Sequence, residues 1–212
     1  MPLPDHAGTH AGTPPADCAL CPRLAAYRAE NAARAPDHHN APVPPWGDAA
    51  ARLAIIGLAP GRDGANRTGL PFQGDASGNL LFAVLAEAGL VMGEPPQPQG
   101  IFISNAAACA PPGNRPTPAE LHACRPFLAA QLAALPGLHA VLALGEIAHQ
   151  SAIKSIGGKL PKYRFAHGAV HRLPSGIWLV DSYHPSRLNT ATGRITAEML
   201  AEALALAVAK AG

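Results

Sequence analysis

GLAPGRDGANRTGLPFQGDASG, Gly57 to Gly78, is the stretch on which the fold turns. An apolar run, Leu53 to Ile56, precedes it and reads as a strand buried on both faces. The segment Asn79 to Leu90 follows it and reads as a helix, with Ser77 as its N-cap. Strand, long glycine-bearing turn and helix make the first half of an α/β unit, and ligands in such folds bind at the carboxyl ends of the strands. The turn is too long and too polar for a plain connector. It carries Asp63, Asn66, Arg67, Phe72, Gln73 and Asp75, the side chains that a site for a flat polar ligand needs.

Working outward, four strands are expected in all, Leu53–Gly57, Ile101–Asn105, Ala140–Gly145 and Ile177–Ser182, with helices between them. Thr117-Pro118-Ala119-Glu120 is a capping box with proline at the first helical position, opening a helix toward Leu135. Gly145 opens a third helix ending near Ser155, and the alanine- and leucine-rich segment Thr196 to Lys210 closes the domain. Alternating strands and helices predict an α/β fold of three αβα layers around a central, mainly parallel four-stranded sheet. Gly157 to Pro174 is basic and glycine-bearing and suits a short hairpin before the last strand. Residues 1–17, rich in proline, alanine and histidine, read as a disordered tail, and 18–212 as one domain.

Composition narrows the function classes. With 48% apolar residues the chain can bury a sizeable core. Its formal charge of +2 does not by itself argue for nucleic acid. No apolar stretch approaches a membrane span, and MPLPDHAGTH lacks a signal core, so a cytoplasmic protein is expected. The first turn has no Gly-Lys-Ser/Thr phosphate loop, no G-x-G-x-x-G and no G-x-S-x-G elbow, which weakens the usual nucleotide and hydrolase readings.

Four cysteines remain. Cys18 and Cys21 form C-x2-C, and fourteen residues separate Cys109 from Cys124. A C-x2-C turn aims two thiolates at one ion or cluster, and the fold must bring the second pair over. Four thiolates suit zinc or an iron–sulfur cluster, and the spacing is not that of a common zinc ribbon. The plainer reading is four unrelated buried cysteines.

Two more polar clusters follow strands: Asn105 with APPGNRPTP (Ala110 to Pro118), and SYHPSRLNT (Ser182 to Thr190). In a parallel sheet all three clusters meet at one edge. One pocket would then be offered Asp63, Phe72, Asp75, Asn105 and His184. Singly, each has a bland reading in the core, at a strand end or in a turn; their convergence favours a site.

GLAPGRDGANRTGLPFQGD resembles the first motif of the uracil-DNA glycosylase superfamily, and within it the family-five, type B enzymes. HPSRLNTATGRIT is similar to their second motif. NAAACAPPGNRPTP resembles their segment bearing a base-reading asparagine and the third cysteine. The resemblance runs from about Asp17 to the C-terminus. Leu58 stands where type A enzymes carry glutamate. Asp63, Leu70 and Leu188 depart from the type B pattern, which has histidine, arginine and a polar residue there.

The resemblance implies a DNA-repair glycosylase hydrolysing the N-glycosidic bond of uracil and other deaminated bases, leaving an abasic site. It implies a 4Fe-4S cluster on Cys18, Cys21, Cys109 and Cys124. Asp75 would orient the water and stabilise the sugar cation, with Asp63 a weaker candidate, and His184 would donate to the developing base anion. Phe72 would stack on the base and Asn105 pair with its edge, while Ala59 and Gly61 would add backbone N–H groups. Arg187 and Leu188 would approach the duplex, with Leu188 as a wedge. Lys162 and Arg164, in a basic stretch with Lys159, His167, His171 and Arg172, would track phosphates. A monomer is expected. The rivals are a non-catalytic iron–sulfur nucleic-acid-binding module of the same fold and an enzyme of free nucleosides or nucleotides.

Overall fold

The computed structural model describes residues 10–212. In chain order its elements begin with α1 (Pro22–Arg34), β1 (Trp46–Gly47), β2 (Leu53–Gly57), α2 (Ala65–Thr68) and α3 (Ala76–Glu87). A small two-stranded ladder, β3 (Val91–Met92) with β4 (Gln97–Pro98), leads to β5 (Ile101–Asn105), a single 3₁₀ turn and α4 (Pro118–Ala133). Then come β6 (Ala140–Leu144), α5 (Glu146–Ser155), β7 (Val170–Arg172), β8 (Trp178–Ser182), α6 (Arg187–Ala191) and α7 (Ala197–Ala211).

The main sheet has the order β1-β5-β2-β6-β8-β7. Its four inner strands, β5, β2, β6 and β8, are parallel and match the four expected ones closely. The sheet is nevertheless six strands wide, because β1 and β7 add antiparallel edges to β5 and β8. Both edges are too short to show period-two patterning. The hairpin expected in the basic segment is formed by β7 pairing with β8 itself.

Alternation along the strands builds two cores. Leu53, Ile55, Ile101, Ile103 and Leu142 face α3 and α7, packing on Leu81, Leu85, Leu200 and Leu204. Ala54, Ile56, Phe102, Val141 and Leu179 face α4 and α5, packing on Leu128, Leu132, Ala152 and Ile153. Both faces are covered, so the inner strands are continuously apolar, as parallel strands are. The three αβα layers follow directly.

Two local expectations change. The N-cap of α3 is Asp75, whose Oδ1 accepts the Gly78 N–H at 2.9 Å, and Ser77 lies inside the helix. Carboxylate and hydroxyl are both good caps, and the turn geometry selects the former. Of the tail expected over residues 1–17, positions 1–9 lie outside the described residues. Residues 10–17 are laid on the domain: the Gly12 carbonyl accepts from Gln131 Nε2 at 2.9 Å, and the His10 ring meets the edge of Phe102 at 5.4 Å. Among the described residues no helix is long and apolar enough to cross a membrane.

Candidate active site

The parallel strands set neighbouring residues at the same height. Gly57 and Asn105 are register partners at the ends of β2 and β5. The pairing continues past both strands, with Ala106 and Ala107 donating to the Gly57 and Leu58 carbonyls at 2.9 and 3.0 Å. Asn105 is thereby fixed beside the first turn. A Cβ at Gly57 would collide with Phe72 Cζ and with Asn105 Oδ1, so only glycine lets ring and carboxamide converge there.

Phe72 is buried and holds a left-handed backbone, φ 60°. For a bulky residue this is strained, by about 1–3 kcal/mol, and it persists only where the surroundings impose it. Gly78 in the first turn of α3 sits so close to the Phe72 carbonyl that no side chain fits between them. The helix start and the ring thus fix one another.

Asp75 is held at one oxygen and closely approached by backbone at the other. Oδ1 caps α3, and Oδ2 lies where a Cβ on Gly61 or Gly64 would be 2.9 or 2.5 Å away. The backbone of the turn wraps the carboxylate.

His184 follows β8. Its carbonyl accepts from Asn189 Nδ2 at 2.8 Å, tying the loop to α6, and its ring stacks obliquely on Phe72 with centroids 6.2 Å apart. Its buried Nδ1 has no partner within the protein. Burial pushes its pKa below the ordinary histidine value, with the Asp75 carboxylate acting in the opposite sense. A neutral imidazole with an unspent nitrogen suits donation to, or acceptance from, a bound molecule.

These side chains surround a cavity of about 320 Å³ lined by Leu58, Ala59, Pro60, Gly61, Phe72, Asp75, Asn105 and His184, with Ala65, Ser77, Asn114 and Ser186 completing it. That volume suits one heterocyclic base. Among the described residues, neither the Ala59 nor the Gly61 N–H donates to another backbone carbonyl. Ser186 and Asn114 are site residues that the sequence does not single out by themselves, although each stands in one of its polar runs after a strand.

Asp63 does not join the cavity. It is an exposed partner of Arg62, 2.9 Å away, which holds its carboxyl below the usual range. It borders a neighbouring cavity of about 270 Å³, shared with Tyr27 and the outer side of Asp75. An ordinary surface ion pair explains it better than catalysis.

His184 also borders a third cavity, of about 590 Å³, with Gly145, Phe165, Ala166, Asn189 and Arg194. Arg164 is exposed and precedes the lining residue Phe165 in the chain, and Lys162, also exposed, lies over the Tyr163 ring. Arg187 and Leu188 on α6 are exposed, Leu188 by 72%, and precede the lining residue Asn189. The rest of the basic stretch does not form one free surface. His167 Nδ1 accepts from the Tyr183 N–H at 3.2 Å, and Arg172 lies over Trp178. His171 Nε2 meets Asp181 Oδ2 at 3.3 Å.

Asp181 is fully buried on β8, and its other oxygen lies 2.7 Å from His149 Nδ1. This His149–Asp181–His171 group is not legible in the sequence, because its members lie apart in the chain and meet only through packing. They are close enough to suggest an ion site. His149 Nε2, however, already faces the Tyr163 carbonyl at 3.1 Å, and the two histidines contact Asp181 at hydrogen-bond distances. The group is a satisfied polar knot.

The four cysteines are all free thiols. Cys21 caps α1, Cys124 lies within α4, and Cys109 follows β5. Burial pushes the Cys124 thiol up to about 11, with the other three cysteines adding to the rise. Cys124 feels the charge of the other three cysteines, and Cys21 that of Cys18 and Cys109, so the four sulfurs gather between α1, α4 and the segment after β5. Such an all-sulfur donor set suits zinc or an iron–sulfur cluster. The α1 and α4 walls are joined by Arg23, which donates to both oxygens of Glu120 at 2.8 and 2.7 Å.

Comparison with known proteins agrees with this geometry. The family model described as the uracil DNA glycosylase superfamily matches residues 44–207. The type-5 uracil-DNA glycosylase of Thermus thermophilus is 44% identical over 206 residues, covering 92% of this chain and 94% of its own. That of Pyrobaculum aerophilum is 41% identical, covering 92% and 90%. The type-4 uracil-DNA glycosylase of Archaeoglobus fulgidus is 32% identical over 148 residues, covering 68% and 70%.

Proposed function

The chain belongs to the uracil-DNA glycosylase superfamily, and on that footing we propose that it hydrolyses the N-glycosidic bond of uracil and other deaminated bases in DNA. The products are the free base and an abasic site. One observation carries the reading: Phe72, Asp75, Asn105 and His184, from three strand ends, line a single base-sized cavity.

A base inside a duplex is out of reach, so it is extruded first, at roughly a few kcal/mol and less at a mismatch. Phe72 stacks on the base face. The Asn105 carboxamide offers a donor and an acceptor side by side, matching the O4 and N3–H of uracil. As the glycosidic bond lengthens, negative charge grows on the base and positive charge on the sugar. His184 and the N–H groups of Ala59 and Gly61 donate to the base oxygen as that charge develops. Asp75 stabilises the sugar cation and orients the water that attacks it. The water adds its oxygen to the sugar carbon and its proton is released, while the departing base takes a proton.

Cys18, Cys21, Cys109 and Cys124 hold a 4Fe-4S cluster in this reading. The cluster supplies a cross-link between the N-terminal helix and the segment beside Asn105. A single domain suffices for one extruded base, which supports a monomer acting on DNA.

The test is alkaline strand scission of labelled duplexes holding one uracil or hypoxanthine. Wild type yields the shortened strand, and Asp75→Ala and His184→Ala each lose at least about 100-fold in rate, the scale of a lost electrostatic or acid–base group. Intact strands from a protein that still binds the duplex would instead establish a non-catalytic binding module.

A further inference from the structure

Arg28 lies on the inner side of α1 and is only 9% exposed. Its Nη1 donates to Cys109 Sγ at 3.2 Å and its Nη2 to the Cys18 carbonyl at 2.8 Å. The guanidinium fork therefore spans the two halves of the cysteine set, the N-terminal pair and the pair beyond β5. Among the described residues no carboxylate pairs with it, and the nearby buried Glu120 is taken by Arg23. A buried cation without an anionic partner is costly. The only acceptor of potential negative charge that it touches is a cysteine sulfur. The cost is offset when the sulfur set is anionic, as four thiolates around a metal cluster are.

We propose that Arg28 is the positioning residue and charge partner of the cysteine-held cluster, its fork fixing Cys109 against the Cys18 turn and its charge offsetting that of the four sulfurs. The proposal rests on the cluster reading given above. Arginine is suited because one rigid fork reaches two acceptors, whereas lysine supplies one point charge. Hydrogen bonds to cluster sulfurs raise the reduction potential and slow loss of the metal.

The test uses the full chain as wild type, Arg28→Lys and Arg28→Met, each reconstituted anaerobically with iron and sulfide. Iron and sulfide per chain, the rate of bleaching of visible absorbance under a chelator, the reduction potential and the far-UV circular dichroism are measured. The expected result is a wild type that holds iron and sulfide and an Arg28→Met that bleaches about ten-fold faster or more, at a lower potential and with unchanged helix content. Arg28→Lys falls between them. If Arg28→Met does not fold, Arg28→Lys decides, since it keeps the charge but cannot span both acceptors and must still bleach faster. Variants with the iron content and bleaching rate of wild type would overturn the role of Arg28 alone. A wild-type chain that takes up neither iron nor sulfide would overturn the cluster reading and this proposal together.

Discussion

His184 shows how much one side chain owes to its surroundings. In water its ring would be half-protonated near pH 6.5, whereas here burial disfavours the charged form. The imidazole stays neutral at neutral pH and can donate without adding a fixed charge to the pocket. The unfolded chain binds a proton at His184 at a higher pH than the folded chain does. Stability from this group is therefore full above about pH 6.5 and is lost as pH falls toward and through the lowered folded value. His167, also lowered by burial, acts in the same direction. We expect the unfolding midpoint to drop as pH falls below about 6.5, and His184→Gln to shrink that drop while abolishing excision. A variant with the full wild-type pH dependence of unfolding would contradict the burial account. The neighbouring Phe72 and Gly57 were legible in different degrees. Phe72 stood out as an aromatic in a polar turn, but that Gly57 must lack a side chain to admit it depends on a contact between strand and turn.

At the scale of elements, Asp75 is at once the cap of α3 and the carboxylate of the pocket. The two roles separate by substitution. Asp75→Ala removes the cap acceptor and should cost about 1 kcal/mol of stability. Asp75→Asn keeps an oxygen for the Gly78 N–H and should unfold near the wild-type midpoint, yet excise as poorly as Asp75→Ala because the charge is gone. Denaturant unfolding beside strand scission checks this, and an active Asp75→Asn would show that charge is not what Asp75 supplies. The four inner strands and the long helices could be read from sequence because both faces of each strand are covered and each long helix buries an apolar side. The capping box at Thr117 and Glu120 is present as expected. What could not be read depends on tertiary contact. The edges β1 and β7 are two and three residues long. The choice of Asp75 over Ser77 as cap is decided by the path of the turn. Residues 10–17 carry no periodicity, yet Gln131, bound also by Ser104 at 2.6 Å, holds their backbone. Asp63 has the right chemistry and position in the chain, but Arg62 beside it draws it outward. His149, Asp181 and His171 meet only because α5, β8 and β7 are packed together.

For the whole molecule, the question is how a chain of formal charge +2 holds DNA. Charge alone is insufficient, so its placement matters. Lys162, Arg164 and Arg187 are exposed, and the latter two are close in sequence to residues lining the groove that adjoins His184, while His167 and His171 are hydrogen-bonded within the protein and Arg172 lies over Trp178. The count of phosphate contacts should therefore be small, and the fall of log affinity with log salt shallow for a DNA-binding protein. Each of Lys162→Ala, Arg164→Ala and Arg187→Ala should reduce that slope by about 1 wherever the residue meets a phosphate, and weaken binding evenly across sequences. Leu188 is different in kind. A large apolar side chain 72% exposed next in sequence to the groove-lining Asn189 is costly to solvate, and it is of the kind that wedges between base steps. Leu188→Ala should leave the salt slope unchanged and slow excision from duplexes. It should spare a single strand, where no stack has to be held open. Excision rates and affinities on matched duplex and single-stranded uracil substrates, across a salt series, distinguish the two roles. Equal loss on both substrates would assign Leu188 to the pocket wall, and a changed slope would place the backbone contact at α6.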